Sequence, residues 1–181
     1  MVGEAGEALT DPARAALVER VWQILAGVSD PEIPVISVVD LGIVRSVTAT
    51  LEGVEVGVTP TYAGCPATQV IEDDILAALS AAGISARLSM RLAPPWTTDW
   101  ITAQGQAQLK AFGIAPPGPV DPRAGQVVHL LARATHARTG PTCPLCGSAH
   151  TELLSQFGST ACKALYRCVD CREPFDYFKP L

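Results

Sequence analysis

Four cysteines near the carboxyl end of the chain stand in two pairs with the spacing of a metal site. The pairs are Cys143-Pro-Leu-Cys146 and Cys168-Val-Asp-Cys171, and 21 residues separate them. A C-x-x-C pair at a tight turn directs two thiolates to one point, and two such turns form a tetrahedral zinc site. Gly147 suits the backbone of such a turn. The spacing therefore predicts one structural zinc per chain, with a redox dithiol or an iron–sulfur centre as the alternative.

The segment 140–181 is too short to bury a core that would hold it folded without metal. Three short apolar stretches predict small strands, so we expect a zinc ribbon; they are Leu153-Leu154, Ala164–Tyr166 and Phe175–Phe178. The other candidate ligand is His150, but four cysteines already close the site. His129 and His136 stand in no recognisable ligand pattern and are expected on the surface or in a connector.

Cys162 is a fifth cysteine of this segment and does not share the spacing of the pairs. It precedes Cys168 by six residues, twice the step within a C-x-x-C pair. Three interpretations are open: a small buried apolar residue, a substitute metal ligand, or a thiol that faces a partner.

The remaining cysteine, Cys65, stands in the stretch Thr59-Pro-Thr-Tyr-Ala-Gly-Cys-Pro66. A strand is expected to end before this stretch and a helix to begin at Pro66, which places Cys65 near the helix N-cap. The helix dipole and free amide groups at such a position stabilise a thiolate. The pattern therefore favours a reactive thiol or a soft-metal ligand, and a buried structural cysteine is the alternative.

Two carboxylates, Asp30 and Glu32, lie in the short segment Asp30-Pro-Glu-Ile-Pro34. Because residues i and i+2 of an extended backbone point the same way, these carboxylates are expected to converge on one point. The alternative is an ordinary solvated turn.

The elements that must position these residues follow from hydrophobic periodicity. The predicted fold class is α+β, with the order α-β-β-α-β-α, a small sheet with helices on one face, and a second, small β zinc-ribbon domain. The expected elements are a helix from Asp11 to Gly27, strands at 43–49 and 54–59, a helix from Pro66 to Gly83, a strand at 84–92, and a helix capped by Thr98 or Asp99 that ends near Gly113. The polar faces of the strands indicate a solvated side or a partner surface.

Composition narrows the class of protein further. The 181 residues carry a net charge of −5 and are 48% hydrophobic, which excludes a disordered chain and disfavours nucleic-acid binding. No apolar run is long enough to cross a membrane, and Met1–Leu9 has no basic residue of a leader, so we expect a cytoplasmic protein. The proline-rich stretch that starts at Pro116 divides the chain into an expected domain at 9–113, a connector at 114–139 and a ribbon at 140–181.

Several motifs together resemble a known family. Asp30-Pro-Glu-Ile-Pro-Val, Val39-Asp-Leu-Gly-Ile-Val44 and Thr59–Pro66 are similar to the signature of the SufT-like iron–sulfur assembly family. The stretches Phe157–Cys168 and Cys171–Lys179 resemble the ribbon of the D subunits of the phenylacetyl-CoA epoxidase system. The resemblance extends from about residue 15 to residue 181.

The resemblance implies a maturation factor that delivers iron or an iron–sulfur cluster to the epoxidase system of aerobic phenylacetate degradation. The implied clients are the reductase subunit, which carries a [2Fe–2S] centre, or the di-iron oxygenase subunits. Cys65 would transfer a transient cluster or iron, and Asp30 and Glu32 would help to position metal or client. A cluster generally takes four ligands, so it would be shared with the client or bridged across a homodimer.

Two other functions remain open at this point. One is a non-catalytic docking or regulatory subunit of the epoxidase complex that never touches iron. The other is a thiol enzyme with Cys65 as nucleophile, which we rank lowest because all three histidines come after residue 128. The expectation is therefore an accessory protein, not an enzyme.

Overall fold

The computed structural model describes residues 11–62, 64–118 and 140–180. Its residues fall into two compact units, of which one ends at Trp96 and the other starts at Thr97. In these described ranges, no helix is both long and apolar enough to cross a membrane.

The first unit is a three-stranded sheet with two helices. Its elements are α1 (Asp11–Leu25), β1 (Val44–Ala49), β2 (Val54–Val58), α2 (Thr68–Ala81) and β3 (Ala86–Met90). β2 is the central strand and pairs antiparallel with β1 and parallel with β3. The predicted order α-β-β-α-β is therefore confirmed for this unit, and the parallel pair follows because α2 is the crossover between β2 and β3.

The core of this unit lies between the sheet and the helices. Val54, Val56 and Val58 are buried on the inner face of β2. The helices contribute apolar residues at helical spacing; these are Val21 and Leu25 of α1, and Ile71, Ile75 and Leu79 of α2. Full burial of each such side chain stabilises the fold by about 1.5–3 kcal/mol relative to exposure. The alternation predicted from the sequence thus sorts the valines inward and polar residues outward.

The turn between β1 and β2 depends on Gly53, whose φ is +140°. Its carbonyl accepts a hydrogen bond from the Thr50 amide, and the neighbouring Val54 amide donates to the Ser85 carbonyl at the start of β3. A Cβ atom on Gly53 would lie 2.1 Å from that same Ser85 oxygen. The turn therefore brings two segments of backbone together where only glycine fits.

The second unit is a four-stranded sheet preceded by a short helical segment. Its elements are a 3-10 helix (Thr98–Trp100), α3 (Ala103–Ala111), β4 (Ile114–Ala115), β5 (Thr151–Ser155), β6 (Lys163–Cys168) and β7 (Pro174–Phe178). The strand order is β4-β7-β6-β5, with β4 parallel to β7 and the other pairs antiparallel. Two small sheets with three helices confirm the α+β class, and β5, β6 and β7 lie where the ribbon strands were predicted.

Two details of this unit differ from the sequence-based expectations. The Thr97 and Thr102 hydroxyls cap the 3-10 helix and α3 respectively, so two short helices replace the single helix predicted from Thr98 or Asp99. In addition, β4 lies inside the predicted connector 114–139 and pairs with β7. Backbone pairing therefore joins residues 114–115 to the ribbon strands, and the boundaries 9–113, 114–139 and 140–181 stay a prediction.

Candidate metal and iron–sulfur assembly sites

The four paired cysteines form one compact cluster of sulfur atoms. All four sulfurs lie within 4.8 Å of one another, and the Cys143–Cys171 and Cys146–Cys168 sulfur pairs are 3.8 and 3.5 Å apart. Zinc–sulfur bonds of about 2.3 Å in a tetrahedron require sulfur–sulfur distances of about 3.8 Å. The donor set and its spacing therefore fit a tetrahedral zinc ion.

The two cysteine turns have matching backbones. In each turn the residue after the second cysteine has a positive φ: Gly147 at +77° and Arg172 at +66°. The first cysteine of each turn donates its amide to the residue five positions later, at 2.8 Å from Cys143 to Ser148 and 3.0 Å from Cys168 to Glu173. The sequence predicted that Gly147 suits the backbone of this turn. The matching backbone at Arg172 was not predicted, although Arg172 occupies the same place after the second C-x-x-C pair.

A polar bridge links the two turns. The Ser148 hydroxyl donates to Asp170, and His150 Nδ1 lies 3.4 Å from the other carboxylate oxygen of Asp170. The Val169 amide also donates to the His150 carbonyl at 2.8 Å. The hydrogen bond from Ser148, aided by His150, lowers the pKa of Asp170 below its ordinary value. His150 thus contacts a carboxylate between the turns and does not belong to the sulfur cluster.

Crowding in the cluster separates the pKa values of Cys146, Cys168 and Cys171. Backbone amides, that of Cys171 foremost, lower the pKa of Cys168 to about 7. The Glu173 amide lowers the pKa of Cys171, but burial and the neighbouring thiols outweigh it and raise that pKa to about 12. The Ser148 amide lowers the pKa of Cys146. The Cys168 thiol, burial and the Cys143 thiol outweigh that effect, so the pKa of Cys146 lies above its ordinary value. Without a cation, the cluster therefore accepts one negative charge more readily than several.

Zinc binding to this cluster is expected to release at least two protons per ion at pH 7, because Cys146 and Cys171 are protonated in the metal-free chain and bind metal as thiolates. Lowering the pH should weaken binding, since protons compete for the same sulfurs. Zinc titration calorimetry in buffers of different ionisation enthalpy measures the proton count. Release of fewer than two protons would contradict the predicted four-thiolate ligation.

Cys162 is buried and lies outside this cluster. Its sulfur is 3.0 Å from the Thr160 hydroxyl, and its carbonyl accepts the Lys179 amide at 3.0 Å. Within the described part of the chain, the group of metal-ligating side chains close enough to hold an ion contains the four paired cysteines and not Cys162. His129 and His136 lie outside the described residues.

Cys65 lies half-buried in a turn that leads into α2. Its amide donates to the Tyr62 carbonyl at 3.2 Å, and its carbonyl accepts the Thr68 amide at 3.1 Å. The sequence predicted a helix that begins at Pro66 with Cys65 near its N-cap, but α2 begins at Thr68. Cys65 therefore lies in the turn before the helix and not at its N-cap. The adjacent Gly64 is exposed and has a φ of +98°, and no atom of the described residues lies within 4 Å of the place where its side chain would project. Within the described residues, no atom therefore blocks the Gly64 side of this turn.

The loop that carries Asp30 and Glu32 differs from the extended backbone that the sequence suggested. Residues 31–36 form successive bends and turns, so the extended geometry assumed for the pair does not occur. Asp30 is buried, and its Oδ1 accepts the amides of Glu32 at 2.9 Å and Ile33 at 2.8 Å. Glu32 remains half-buried at the surface of this loop. Asp30 thus fixes the loop backbone, and within the described residues Asp30, Glu32 and Cys65 do not form a compact group of metal ligands.

Two family models match the chain, one for each part of this architecture. Residues 18–85 match the model of iron–sulfur cluster assembly proteins, and residues 131–179 match the PaaD zinc beta ribbon domain. A crystal structure of a domain of unknown function, DUF59, from Bacillus anthracis is 25% identical, with a TM-score of 0.52 over 55% of this chain and 97% of that one. The fold and site therefore define an iron–sulfur cluster assembly domain joined to a zinc ribbon.

Two relatives identify the family more closely. A protein of Escherichia coli K12, named as the putative D subunit of 1,2-phenylacetyl-CoA epoxidase, is 47% identical over 163 residues, which cover 90% of this chain and 92% of the relative. An "Fe-S protein maturation auxiliary factor" of Porphyromonas gingivalis is 33% identical over 94 residues, or 50% of this chain and 89% of that relative. The chain belongs to the family of the E. coli protein, as the sequence motifs predicted.

Proposed function

We propose that this protein is a cytoplasmic maturation factor that helps to load iron or an iron–sulfur cluster into the phenylacetyl-CoA epoxidase system. The observation that carries the proposal is a half-buried cysteine, Cys65, in a turn of the domain that matches iron–sulfur assembly proteins. Thiolate sulfur is the ligand that iron–sulfur clusters prefer. The names of the two relatives supply the epoxidase system and the maturation role.

Cys65 would hold iron or a cluster only in transit. One cysteine supplies one of the roughly four ligands that a cluster needs, so the others must come from the client or from a second copy of the chain. The turn before α2, with open space beside Gly64, leaves room for such an approach. The proposed clients are the reductase subunit with its [2Fe–2S] centre or the di-iron oxygenase subunits.

The two carboxylates take separate roles in this proposal. Asp30 is committed to the backbone amides of its own loop, so it acts by holding the loop in shape. Glu32, half-buried on that loop, would contribute a carboxylate toward metal or client. The four ribbon cysteines would bind a structural zinc that takes no part in transfer.

An accessory role also fits better than thiol catalysis. A nucleophilic cysteine needs an adjacent base, usually histidine. His150, the histidine in the described part of the chain, contacts Asp170 in the ribbon. The name of the P. gingivalis relative, an auxiliary factor, also supports an accessory role for this protein.

Replacement of Cys65 tests the transfer role. When Cys65→Ser is expressed with the epoxidase subunits in place of the natural chain, we expect cluster occupancy of the reductase or iron occupancy of the oxygenase to fall at least about tenfold, because serine is a poor ligand for iron–sulfur clusters. Optical spectra and iron analysis of the purified subunits measure the occupancy. Zinc content and thermal unfolding of the variant should match those of the natural chain.

Cys162→Ser is the matched control, since it removes a thiol that lies outside the transfer turn and the sulfur cluster. Its clients should be fully loaded. If Cys65→Ser also yields fully loaded clients, the transfer role is wrong, and a docking or regulatory subunit that never handles iron becomes the better function.

A further inference from the structure

The face of the three-stranded sheet turned away from α1 and α2 gathers most of the positive charge of its unit. Residues 11–96 contain ten acidic side chains and five arginines. Three of the arginines, Arg45, Arg87 and Arg91, are exposed on or beside this face, which we call the arginine face. Glu55 is the acidic side chain within it. Residues 11–96, with a net charge of −5, therefore carry a locally positive sheet surface.

Strand register places these side chains together. Glu55 of β2 lies opposite Arg87 of β3, and Gly57 lies opposite Ser89. On the other side of β2, Ser46 and Thr48 of β1 lie opposite Gly57 and Glu55. Because the valines of β2 occupy its inner face, alternation directs these partners outward. Serine and threonine residues therefore share the outer face of the sheet with the arginines.

A break in the pairing of β1 exposes one arginine. The register shifts between Val44 and Ser46, so Arg45 is an extra residue of the strand relative to β2. Such bulges redirect a side chain without ending the sheet. Arg45 is exposed next to Ser46 at this position.

Because Gly57 has no side chain, a hydroxyl and a guanidinium both approach its Cα at the centre of the face. A Cβ atom on Gly57 would lie 2.4 Å from Ser46 Oγ and 3.0 Å from Arg91 Nε. Both groups therefore occupy the space above this glycine. Arg87, whose side chain is 80% exposed, is held by Glu55 at 3.0 Å. The arginine face thus gathers guanidinium and hydroxyl donors around β2.

We infer that the arginine face docks an acidic segment of a partner protein, one with clustered aspartate and glutamate side chains. Guanidinium groups pair with carboxylates in a bidentate way, and the serine and threonine hydroxyls add donors. Three strands of about five residues form a face of about 10 by 15 Å, the size of a short peptide segment. The net charge of the chain disfavours nucleic acid, whose charge is dense and extended. This docking surface is independent of Cys65.

A peptide titration tests the inference. The full chain, labelled with nitrogen-15, is titrated with a capped octapeptide of glutamate at about 25 mM salt, and with the glutamine octapeptide as the neutral probe. We expect the glutamate peptide to shift the amide signals of Ser46, Gly57 and Ser89, with an affinity that falls at least about tenfold at 250 mM salt. The glutamine peptide should not bind.

Variants assign the binding to the face. The double variant Arg87→Gln with Arg91→Gln should lower the affinity for the glutamate peptide at least about tenfold. Lys110→Gln, on α3 of the other unit, should change that affinity less than about twofold. Unfolding midpoints show that the variants are folded. The inference is overturned if the double variant binds normally, if the shifts lie elsewhere, or if an oligothymidylate binds more tightly than the peptide. A dimer that the double variant dissociates would also overturn it, because the acidic occupant would then be a second copy.

Discussion

Cys168→Ser is expected to abolish zinc binding and to unfold the strands β5, β6 and β7. Cys168 is fully buried and packs in a small apolar cluster with Ala115, Cys143 and Phe175. This cluster is too small to offset the entropy of ordering the ribbon, so the metal must supply most of the stability. Structural zinc sites in small domains contribute about 10–16 kcal/mol of binding free energy. The zinc content should fall from about one ion per chain to below a tenth of that.

Zinc analysis by mass spectrometry and amide spectra of the ribbon measure these two losses. Cys162→Ser is the control, because it changes a second buried cysteine of the same unit that lies outside the sulfur cluster. It should retain zinc and the ribbon spectrum. A Cys168→Ser chain that keeps both zinc and folded ribbon strands would show that three cysteines suffice and that the metal does not hold this unit folded. Iron in place of zinc would overturn the structural assignment.

Gly53→Ala is expected to destabilise the first unit by about 3 kcal/mol or more. The added Cβ would lie 2.1 Å from the Ser85 carbonyl oxygen and 2.8 Å from its carbon, and both belong to the backbone. Relief requires the start of β3 to move away from the turn, which breaks the hydrogen bond from the Val54 amide to the Ser85 carbonyl. Urea unfolding followed by tryptophan fluorescence measures the loss of unfolding free energy.

Gly83→Ala separates the steric effect from the backbone effect. Gly83 has a φ of +73°, and no atom of the described residues lies within 4 Å of the place that an added methyl group would take. The change should therefore cost only the strain of the left-handed backbone, about 1–2 kcal/mol. Equal losses of unfolding free energy for Gly53→Ala and Gly83→Ala would mean that the contact with the Ser85 backbone adds no cost beyond the backbone strain. Neither variant should change zinc content, because the sulfur cluster lies in the other unit.

Much of this architecture could be predicted because it follows from local rules. The alternation of Val54, Val56 and Val58 assigned a strand, since one face of β2 is buried. The C-x-x-C spacing assigned the sulfur cluster, because the turn geometry is contained within four residues. The family motifs likewise lie in continuous stretches of sequence.

The features that were missed depend on contacts between distant residues. The pairing of β4 with β7 joins residues about 60 positions apart and leaves no local pattern. The arginine face is created by the register of three strands, so no single stretch of sequence shows it. The loop at Asp30 was misjudged because its carboxylate bonds its own backbone, and a local hydrogen bond of that kind replaces the extended geometry.

The pairing of β4 with β7 has a consequence for where the ribbon can be cut from the rest of the chain. In a ribbon fragment that begins at residue 140, β7 would have an open edge beside Asp176 and Tyr177, which β4 covers in the full chain. Exposed edges of this kind invite aggregation. A ribbon fragment that begins at residue 140 is therefore expected to aggregate more readily than one that keeps residues 114–115 and so retains β4.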